Sequence, residues 1–205
     1  MRPIVLILIV IVVIASVAIG VYLYLQRYFQ KPIEISIPIP LELSASLTRA
    51  SRSIRVESPE FRPNETIPTA FTCDGSDISP PLIIEGVPSQ TVSIAIIVYD
   101  PDAPGGIFYH WLLYSIKPSS RIEIPASIPK LAETKIGFQG FNDFGRIGYG
   151  GPCPPKGDKP HRYIFMVLAL DIDIRTPSLK PSEFLKEVNG HIIAYGYTIG
   201  IYRRA

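Results

Sequence analysis

The sequence predicts a mostly-β fold, a β-sandwich with small helical additions, preceded by one N-terminal transmembrane helix. The helix is predicted from an apolar run without a charge that covers residues 3–25. The β fold is predicted from later runs rich in β-branched and aromatic residues, the composition of strands buried in a sheet. The 21 prolines and 15 glycines are spread through the chain, which indicates short elements joined by fixed turns.

The N-terminal run is long enough to cross a bilayer. As a helix, residues 3–25 rise about 35 Å, against about 30 Å for a hydrocarbon core. We therefore predict a transmembrane anchor within residues 1–28 that contacts the membrane through residues 3–25. A cleaved signal peptide is the alternative, because the Ser-Val-Ala sequence at residues 16–18 offers a small-residue cleavage site.

The side of the membrane on which the domain lies is predicted from conflicting signals. More basic residues follow the apolar run than precede it, and this bias favours the cytoplasm. However, Arg2 directly before the run is typical of a secretory start, and Asn64 begins an N-glycosylation sequon in a loop-like context. We predict a single-pass membrane protein with its domain on the external face and with Asn64 as a glycosylation site.

Residues 29–53 are predicted to form a linker. Alternation of isoleucine and proline in its first part favours an extended backbone, and the Ser/Thr/Arg-rich residues 44–53 are typical of a flexible stalk. An extra edge strand over residues 34–43 is the alternative. Compact patterning begins after the linker, so residues 54–205 are predicted to be the folded domain.

The elements of this domain follow from composition and length. The run TVSIAIIVY predicts a strand buried on both faces, and SEFLKEV followed by Asn-Gly predicts a short helix, capped by its serine and ended by the glycine. The Gly/Pro-rich residues 118–160 predict a long excursion with little regular structure, and such loops are usually functional. The predicted strands are residues 54–58, 82–84, 91–99, 109–116, 162–171 and 192–202, and the predicted helix is residues 182–188.

The first segment with candidate chemistry is Asp-Pro-Asp-Ala-Pro at residues 100–104, directly after a predicted buried strand. It places the carboxylates of Asp100 and Asp102 at a sheet edge, on a backbone fixed by prolines. Two carboxylates this close ionise together only with a positive partner, which His110 on the next strand can supply. The alternative is an Asp-Pro turn exposed to water.

The second segment is Gly-Pro-Cys-Pro-Pro-Lys-Gly at residues 151–157, which leads into His161, Arg162 and Tyr163. Because His161 and Tyr163 are two residues apart, they share one face of the predicted strand. Two of the chain's three histidines thus lie beside proline-fixed loops, which favours a functional role, with a structural role as the alternative.

Together the two segments resemble the phosphatidylethanolamine-binding protein family, in its prokaryotic, Raf kinase inhibitor-like branch. The resemblance extends to Thr-Cys-Asp-Gly at residues 72–75 and Ile-Ser-Pro-Pro at residues 78–81, and it covers residues 56–204. It implies two antiparallel sheets and a surface cavity for phosphate-like anions, to which histidines and loop N–H groups donate. The residues that it places in this ligand-binding cavity are Asp100, Asp102, Pro104, His110, Pro154, Pro155, His161 and Tyr163.

The two cysteines, Cys73 and Cys153, fall near the implied cavity. They form either a disulfide or two free thiols. Their spacing matches no zinc motif, and we predict no metal and no cofactor. The charge is nearly balanced, 20 basic against 18 acidic residues without a basic stripe, which argues against a nucleic-acid partner.

The predicted function is non-catalytic. We expect a binding or regulatory protein with a small pocket for phosphate or a phosphorylated head group, which inhibits a protease or kinase partner. The alternative is a hydrolase that acts on a phosphorylated or ester small molecule through the Asp/His cluster. The sequence contains no GxSxG nucleophile motif, which favours binding. A receptor that captures phosphorylated small molecules at the cell surface is a third hypothesis.

Overall fold

In the computed structural model, the described residues are 18–22 and 37–204. The chain divides into two compact units, Met1–Pro38 and Ile39–Ala205. In the first unit, residues 18–22 are helical. Among the described residues, no helix is long and apolar enough to cross a membrane.

The predicted transmembrane helix is therefore wrong, and so is the single-pass membrane location with an external domain. The five helical residues 18–22 rise about 7.5 Å, a quarter of the roughly 30 Å of a hydrocarbon core. The other residues of the apolar run 3–25, including most of the cleavage sequence at 16–18, lie outside the described residues. The described residues give no support for membrane contact through that run.

The second unit is mostly β-sheet, as predicted, with short helices. The long strands and the late helix lie within two residues of their predicted bounds. The excursion predicted at residues 118–160 contains two short strands. Within residues 39–204 the strands are β1 (Arg55–Glu57), β2 (Glu65–Thr66), β3 (Leu82–Glu85), β4 (Ser93–Asp100), β5 (Phe108–Ile116), β6 (Arg121–Ile124), β7 (Phe138–Gln139), β8 (His161–Leu170) and β9 (Ile192–Tyr202), and the helices are α1 (Leu41–Arg49), α2 (Pro181–Val188) and a 3₁₀ turn, Thr69–Phe71.

Two sheets make up the β-structure of residues 39–204. The larger has the strand order β2-β9-β8-β4-β5-β7, and the smaller has the order β1-β3-β6. Neighbouring strands are antiparallel, except that β2 runs parallel to β9. The pair of antiparallel sheets that the family resemblance implied is therefore present, with one short parallel strand added at an edge.

The main core lies between the two sheets, where Ile96 of β4 and Ile84 of β3 are both fully buried. All eight residues of β4 are buried. The second face of the large sheet is covered as well, since Phe184 of α2 packs on Tyr114 of β5 with ring centroids 5.2 Å apart. Burial on both faces explains why β4 is a continuous apolar run rather than an alternating one.

Helix α1 lies where the sequence predicted a polar stalk or an edge strand. Its Leu43 and Leu47 are one helical turn apart, and both are buried. The hydroxyl of Ser46 donates to Oδ1 of Asn189 at 2.7 Å and accepts from the Gly190 N–H at 2.8 Å, so α1 is fixed to the end of α2. The predicted domain limits, 1–28, 29–53 and 54–205, stay predictions.

Asn64 lies in an exposed turn directly before β2. Its φ of 65° is in the left-handed region, which asparagine tolerates better than most residues. Glycosylation at Asn64 stays a prediction.

Candidate ligand-binding cavity

A small cavity of about 170 Å³ opens where β4 ends and where β5 and β8 begin. These strand ends meet because β4 pairs antiparallel with both β5 and β8 in the large sheet. The loop at residues 153–155 completes the wall. The lining residues are Asp100, Ala103, Pro104, Phe108, His110, Phe144, Cys153, Pro154, Pro155, His161 and Tyr163.

Most of the predicted ligand-binding residues lie in this lining, although ligand binding itself stays a prediction. Asp102 is the exception. Its carboxylate accepts from the Arg162 guanidinium at 2.8 and 2.7 Å and from the Arg162 backbone N–H at 3.0 Å. These bonds hold the pKa of Asp102 below its usual value. The predicted residues that line the cavity are Asp100, Pro104, His110, Pro154, Pro155, His161 and Tyr163.

Asp100 and His161 form a buried pair. His161 Nδ1 lies 2.7 Å from Asp100 Oδ2, and the side chains are 1% and 4% exposed. Asp100 ends β4 and His161 begins β8, and the register pairs Tyr99 with Ile164 at that end of the sheet. The antiparallel pairing therefore brings the two residues together across 61 positions of sequence.

The second nitrogen of His161 also has a partner. His161 Nε2 lies 3.2 Å from Oδ2 of Asp158, whose side chain is 37% exposed. Burial opposes a charge on His161, but the hydrogen bonds to Asp100 and Asp158 outweigh it and raise the pKa of His161 above its usual value. At mildly acid pH the imidazole is therefore set to carry a proton on each nitrogen, shared between two carboxylates.

The pKa of His110 is shifted in the opposite direction from that of His161. His110 is 3% exposed, and burial lowers its pKa to about 4. Its Nδ1 lies 2.7 Å from the backbone oxygen of Gly150. Because a carbonyl oxygen only accepts, Nδ1 carries the hydrogen, and the other nitrogen of the neutral ring is an acceptor. The cavity thus combines a histidine that holds a proton readily with one that stays neutral.

Tyr163 places an unpaired donor in the cavity wall. Its hydroxyl is buried and has no hydrogen-bond partner among the described residues. Burial raises the pKa of Tyr163, and the charge and the nearby carboxylate oxygens of Asp100 raise it further, so the hydroxyl keeps its proton. The geometry between the two side chains falls short of a hydrogen bond. The hydroxyls of Thr91 and Thr198 are also buried and unpaired, but neither residue lines this cavity. Since buried polar groups are usually paired, the Tyr163 hydroxyl is a donor open to any molecule in the cavity, water included.

Two aromatic walls of the cavity were not predicted. The rings of Phe108 and Phe144 pack edge to face at 4.7 Å, and each also contacts the His110 ring. Asn142 holds the loop that carries Phe144, because its Oδ1 accepts from the backbone N–H groups of Phe144 and Arg146. Phe108 directly precedes the predicted strand 109–116, so its position at the strand end could have indicated a place in the cavity wall. No sequence pattern indicated such a place for Phe144.

The loop at residues 150–155 is fixed by contacts with the segment at residues 71–77. A disulfide joins Cys153 to Cys73. The Gly151 N–H donates to Asp77 Oδ1 at 2.6 Å. A Cβ on Gly151 would lie 2.5 Å from a backbone oxygen, so a larger residue forces the loop to move. This bracing holds the proline-rich wall of the cavity in place.

Two packed sheets with a small cavity at the strand ends define a β-sandwich protein. Comparison with known families makes the identity specific. The family described as phosphatidylethanolamine-binding protein matches residues 57–203. The chain belongs to that family, and the resemblance drawn from the sequence motifs is confirmed.

Relatives from distant organisms share this region. A UPF0098 protein of Pyrococcus horikoshii is 48% identical over 156 residues, 74% of this chain and 77% of the relative. A UPF0098 protein of Aquifex aeolicus is 46% identical over 155 residues, 74% and 89% of the two chains.

Solved structures agree with this assignment. A phosphatidylethanolamine-binding protein homologue of Chlamydia trachomatis superposes with a TM-score of 0.67 at 33% identity, over 76% of this chain and 100% of that one. YbcL of Escherichia coli, described as a member of the mammalian family, superposes with a TM-score of 0.68 at 34% identity, over 75% and 99%.

Proposed function

We propose that this chain is a non-catalytic binding and regulatory protein whose cavity takes a small anion, either phosphate or a phosphorylated head group. The observation that carries the proposal is the Tyr163 hydroxyl, a buried donor without a partner in the cavity wall. A ligand oxygen that accepts from this hydroxyl satisfies it. Membership of the phosphatidylethanolamine-binding protein family supports a binding role for the same region.

The size of the cavity limits the ligand. At about 30 Å³ per water molecule, a volume of 170 Å³ corresponds to about five or six waters. Pockets for drug-sized ligands start at about 300 Å³. The cavity therefore fits a phosphoryl group with a few neighbouring atoms, and the rest of a larger ligand extends into solvent.

The polar groups suit a singly protonated phosphate. Tyr163 donates to a ligand oxygen, and a protonated His161 adds positive charge beside it. Asp100 and the neutral ring of His110 are acceptors, which suit the hydrogen of a P–OH group. A ligand with several acceptors and one donor fits this mixture better than a dianion, because Asp100 repels a second negative charge.

A hydrolase is the second candidate, and the 2.7 Å contact between Asp100 and His161 favours it. A carboxylate that orients a histidine is a common part of hydrolase sites. Two observations weigh against it. The described lining contains no serine or threonine, and the sulfur of Cys153 is used in the disulfide. The raised pKa of His161 also favours its protonated form, which cannot accept a proton as a base.

Regulation of a protein partner is the second half of the proposal, with a protease or a kinase as the partner. The loops on either side of the cavity are accessible, since residues 104–106 and residues 155–157 are exposed. A partner can therefore contact these loops while the cavity holds its ligand. Inhibition assays against panels of proteases and kinases, with and without phosphate, test this half. The absence of any inhibition across both panels would contradict it.

Calorimetric titration of the full-length protein with phosphate and with phosphoethanolamine tests the cavity, beside an assay of phosphoester hydrolysis. We expect saturable binding and no turnover. Turnover that consumes a phosphoester supports the hydrolase instead. The anion site is refuted if neither the folded native protein nor a folded variant without the Asp158 carboxylate, the partner of His161 Nε2, binds either ligand.

A further inference from the structure

Both nitrogens of His161 are paired with carboxylates of the chain itself. Nδ1 lies 2.7 Å from Asp100 Oδ2, and Nε2 lies 3.2 Å from Asp158 Oδ2. In this arrangement His161 has no N–H left for a ligand. An anion that binds through His161 therefore has to replace one of the two carboxylates.

The two contacts differ in strength and in surroundings. Hydrogen bonds between a charged N–H and a carboxylate are usually about 2.7–2.9 Å long, and only the contact with Asp100 falls in that range. The side chain of Asp100 is 4% exposed, whereas that of Asp158 is 37% exposed. Asp158 regains water when it leaves His161, but Asp100 would stay buried without a positive partner, with the neutral Asp102 N–H at 2.8 Å as its other donor. Asp158 is therefore the carboxylate that can be exchanged.

The backbone around Asp158 is held independently of His161. The N–H of Asp158 donates to the backbone oxygen of Pro155 at 3.2 Å, which closes a turn. Gly157 in this turn has a φ of +79°, and no described atom lies within 4 Å of a Cβ built on it. The turn faces open space at Gly157. The Asp158 Oδ1 also accepts from the Lys159 N–H at 2.8 Å, so a rotation away from His161 exchanges that bond for water as well, while the Pro155 bond keeps the turn folded.

We propose that Asp158 is a built-in competitor for the anion: its carboxylate occupies Nε2 of His161 in the ligand-free protein, and an incoming phosphoryl oxygen takes its place. The inference rests on the proposed anion site and adds the residue that sets the affinity of that site. The exchange replaces one negative oxygen by another on the same N–H, so the imidazole keeps two anionic partners throughout. The free energy of phosphate binding then contains only the difference between the phosphate contact and the Asp158 contact with Nε2, so the Asp158 carboxylate keeps the phosphate affinity low.

The test compares phosphate affinity in full-length variants by calorimetry at mildly acid pH and low ionic strength. Asp158→Asn removes the competing charge and keeps the shape of the side chain. Asp171→Asn is the matched control, because Asp171 contacts His191 Nδ1 at 2.8 Å in an exposed pair that does not line the cavity. We expect Asp158→Asn to bind inorganic phosphate about tenfold more tightly than the native protein, as for the loss of one nearby charge at a partly exposed site. Asp171→Asn should bind as the native protein does.

NMR titration of the His161 imidazole separates competition from an indirect structural effect. The carboxylates that face this ring are those of Asp100, from β4, and Asp158, from the turn before β8. In ligand-free Asp158→Asn, the pKa of His161 should fall, because one negative partner is gone. Saturating phosphate should raise it again, because a phosphoryl oxygen takes the same position.

The outcomes distinguish the two levels of the proposal. If the native protein binds phosphate and Asp158→Asn binds it equally or more weakly, the competitor role is overturned and the anion site stands. If neither folded protein binds phosphate, the anion site is overturned and the competitor role with it. Binding by Asp158→Asn alone supports both, since it reveals a site that the native carboxylate blocks.

Discussion

Replacing Tyr163 by phenylalanine removes one oxygen atom from the cavity wall and leaves the ring in the core. The residue is fully buried, and its hydroxyl has no partner among the described residues. Its ring packs edge-on against His110, with centroids 5.2 Å apart. A phenyl ring keeps that contact, so the substitution separates the role of the hydroxyl from the role of the packing.

The structure sets the size of the two effects. A hydrogen bond to a charged acceptor contributes about 1.5–3 kcal/mol, so Tyr163→Phe should weaken phosphate binding by about ten- to a hundredfold. The free energy of unfolding should change by less than about 1 kcal/mol or rise, because the ligand-free fold loses no hydrogen bond at this residue. Weaker binding without weaker folding is therefore the expected result.

Calorimetric titration with phosphate and chemical denaturation of the same full-length variants measure the two quantities. Thr198→Val is the first control, since it removes another buried, unpaired hydroxyl outside the cavity and should leave binding unchanged. Tyr149→Phe is the second, since the Tyr149 hydroxyl donates to the Phe71 backbone oxygen at 2.8 Å. That variant should lose about 1 kcal/mol or more of the free energy of unfolding.

Two results would refute the reasoning about Tyr163. If Tyr163→Phe binds phosphate as tightly as the native protein, the hydroxyl makes no contribution to a ligand. If Tyr163→Phe loses as much stability as Tyr149→Phe, the hydroxyl has a partner within the fold, and its role is structural.

Three further predictions concern the surroundings of the cavity. Asp102→Asn should lower the free energy of unfolding by about 1 kcal/mol, because it weakens the pairing with Arg162. It should leave phosphate affinity unchanged, because Asp102 does not line the cavity, and weaker phosphate binding in calorimetry would contradict this. NMR should show that His110 in the folded protein stays neutral until the pH nears about 4. Between pH 6.5 and 4 the unfolded chain takes up a proton on His110 and the folded protein does not, so the free energy of unfolding should fall as the pH drops through this range. A His110 that titrates above pH 6 in the folded protein would contradict this. Replacing Cys73 and Cys153 together by serine should lower the free energy of unfolding by about 4 kcal/mol, since the disulfide closes a loop of 80 residues; a change under about 1 kcal/mol in denaturation would contradict this.

The cavity could be predicted from the sequence as far as strand ends determine it. A buried apolar run that stops at Asp100 and another that starts at His161 place both residues at one edge of a sheet if the two strands are antiparallel neighbours, as β4 and β8 are. The sequence does not show which of the two carboxylates, Asp100 or Asp102, faces the cavity, because Asp102 lies two residues past the end of β4, where strand alternation no longer fixes the direction of its side chain. Asp102 turns to Arg162 instead, and only the three-dimensional register of β4 against β8 decides that.

The features that the sequence did not predict depend on contacts distant in the chain. Helix α1 has a weakly apolar sequence, and its place in the fold depends on Ser46, which bonds to Asn189 and Gly190 more than 140 positions away. Tertiary packing commonly decides such segments, because short helices gain little from propensity alone. Phe144 depends in the same way on a loop that the Asn142 side chain ties together.

The buried pair also determines which substitutions can test the cavity. His161→Ala would leave the Asp100 carboxylate, 4% exposed, without its partner, and breaking a buried ion pair in this way costs about 3–5 kcal/mol. Loss of ligand binding in that variant would therefore not separate a damaged site from a damaged fold. His161 keeps Asp100 paired through Nδ1, and only Nε2, which contacts the partly exposed Asp158, is open to exchange. Substitutions of Tyr163 and Asp158 leave the buried pair intact, and they are the variants in which a change of affinity reports on the ligand.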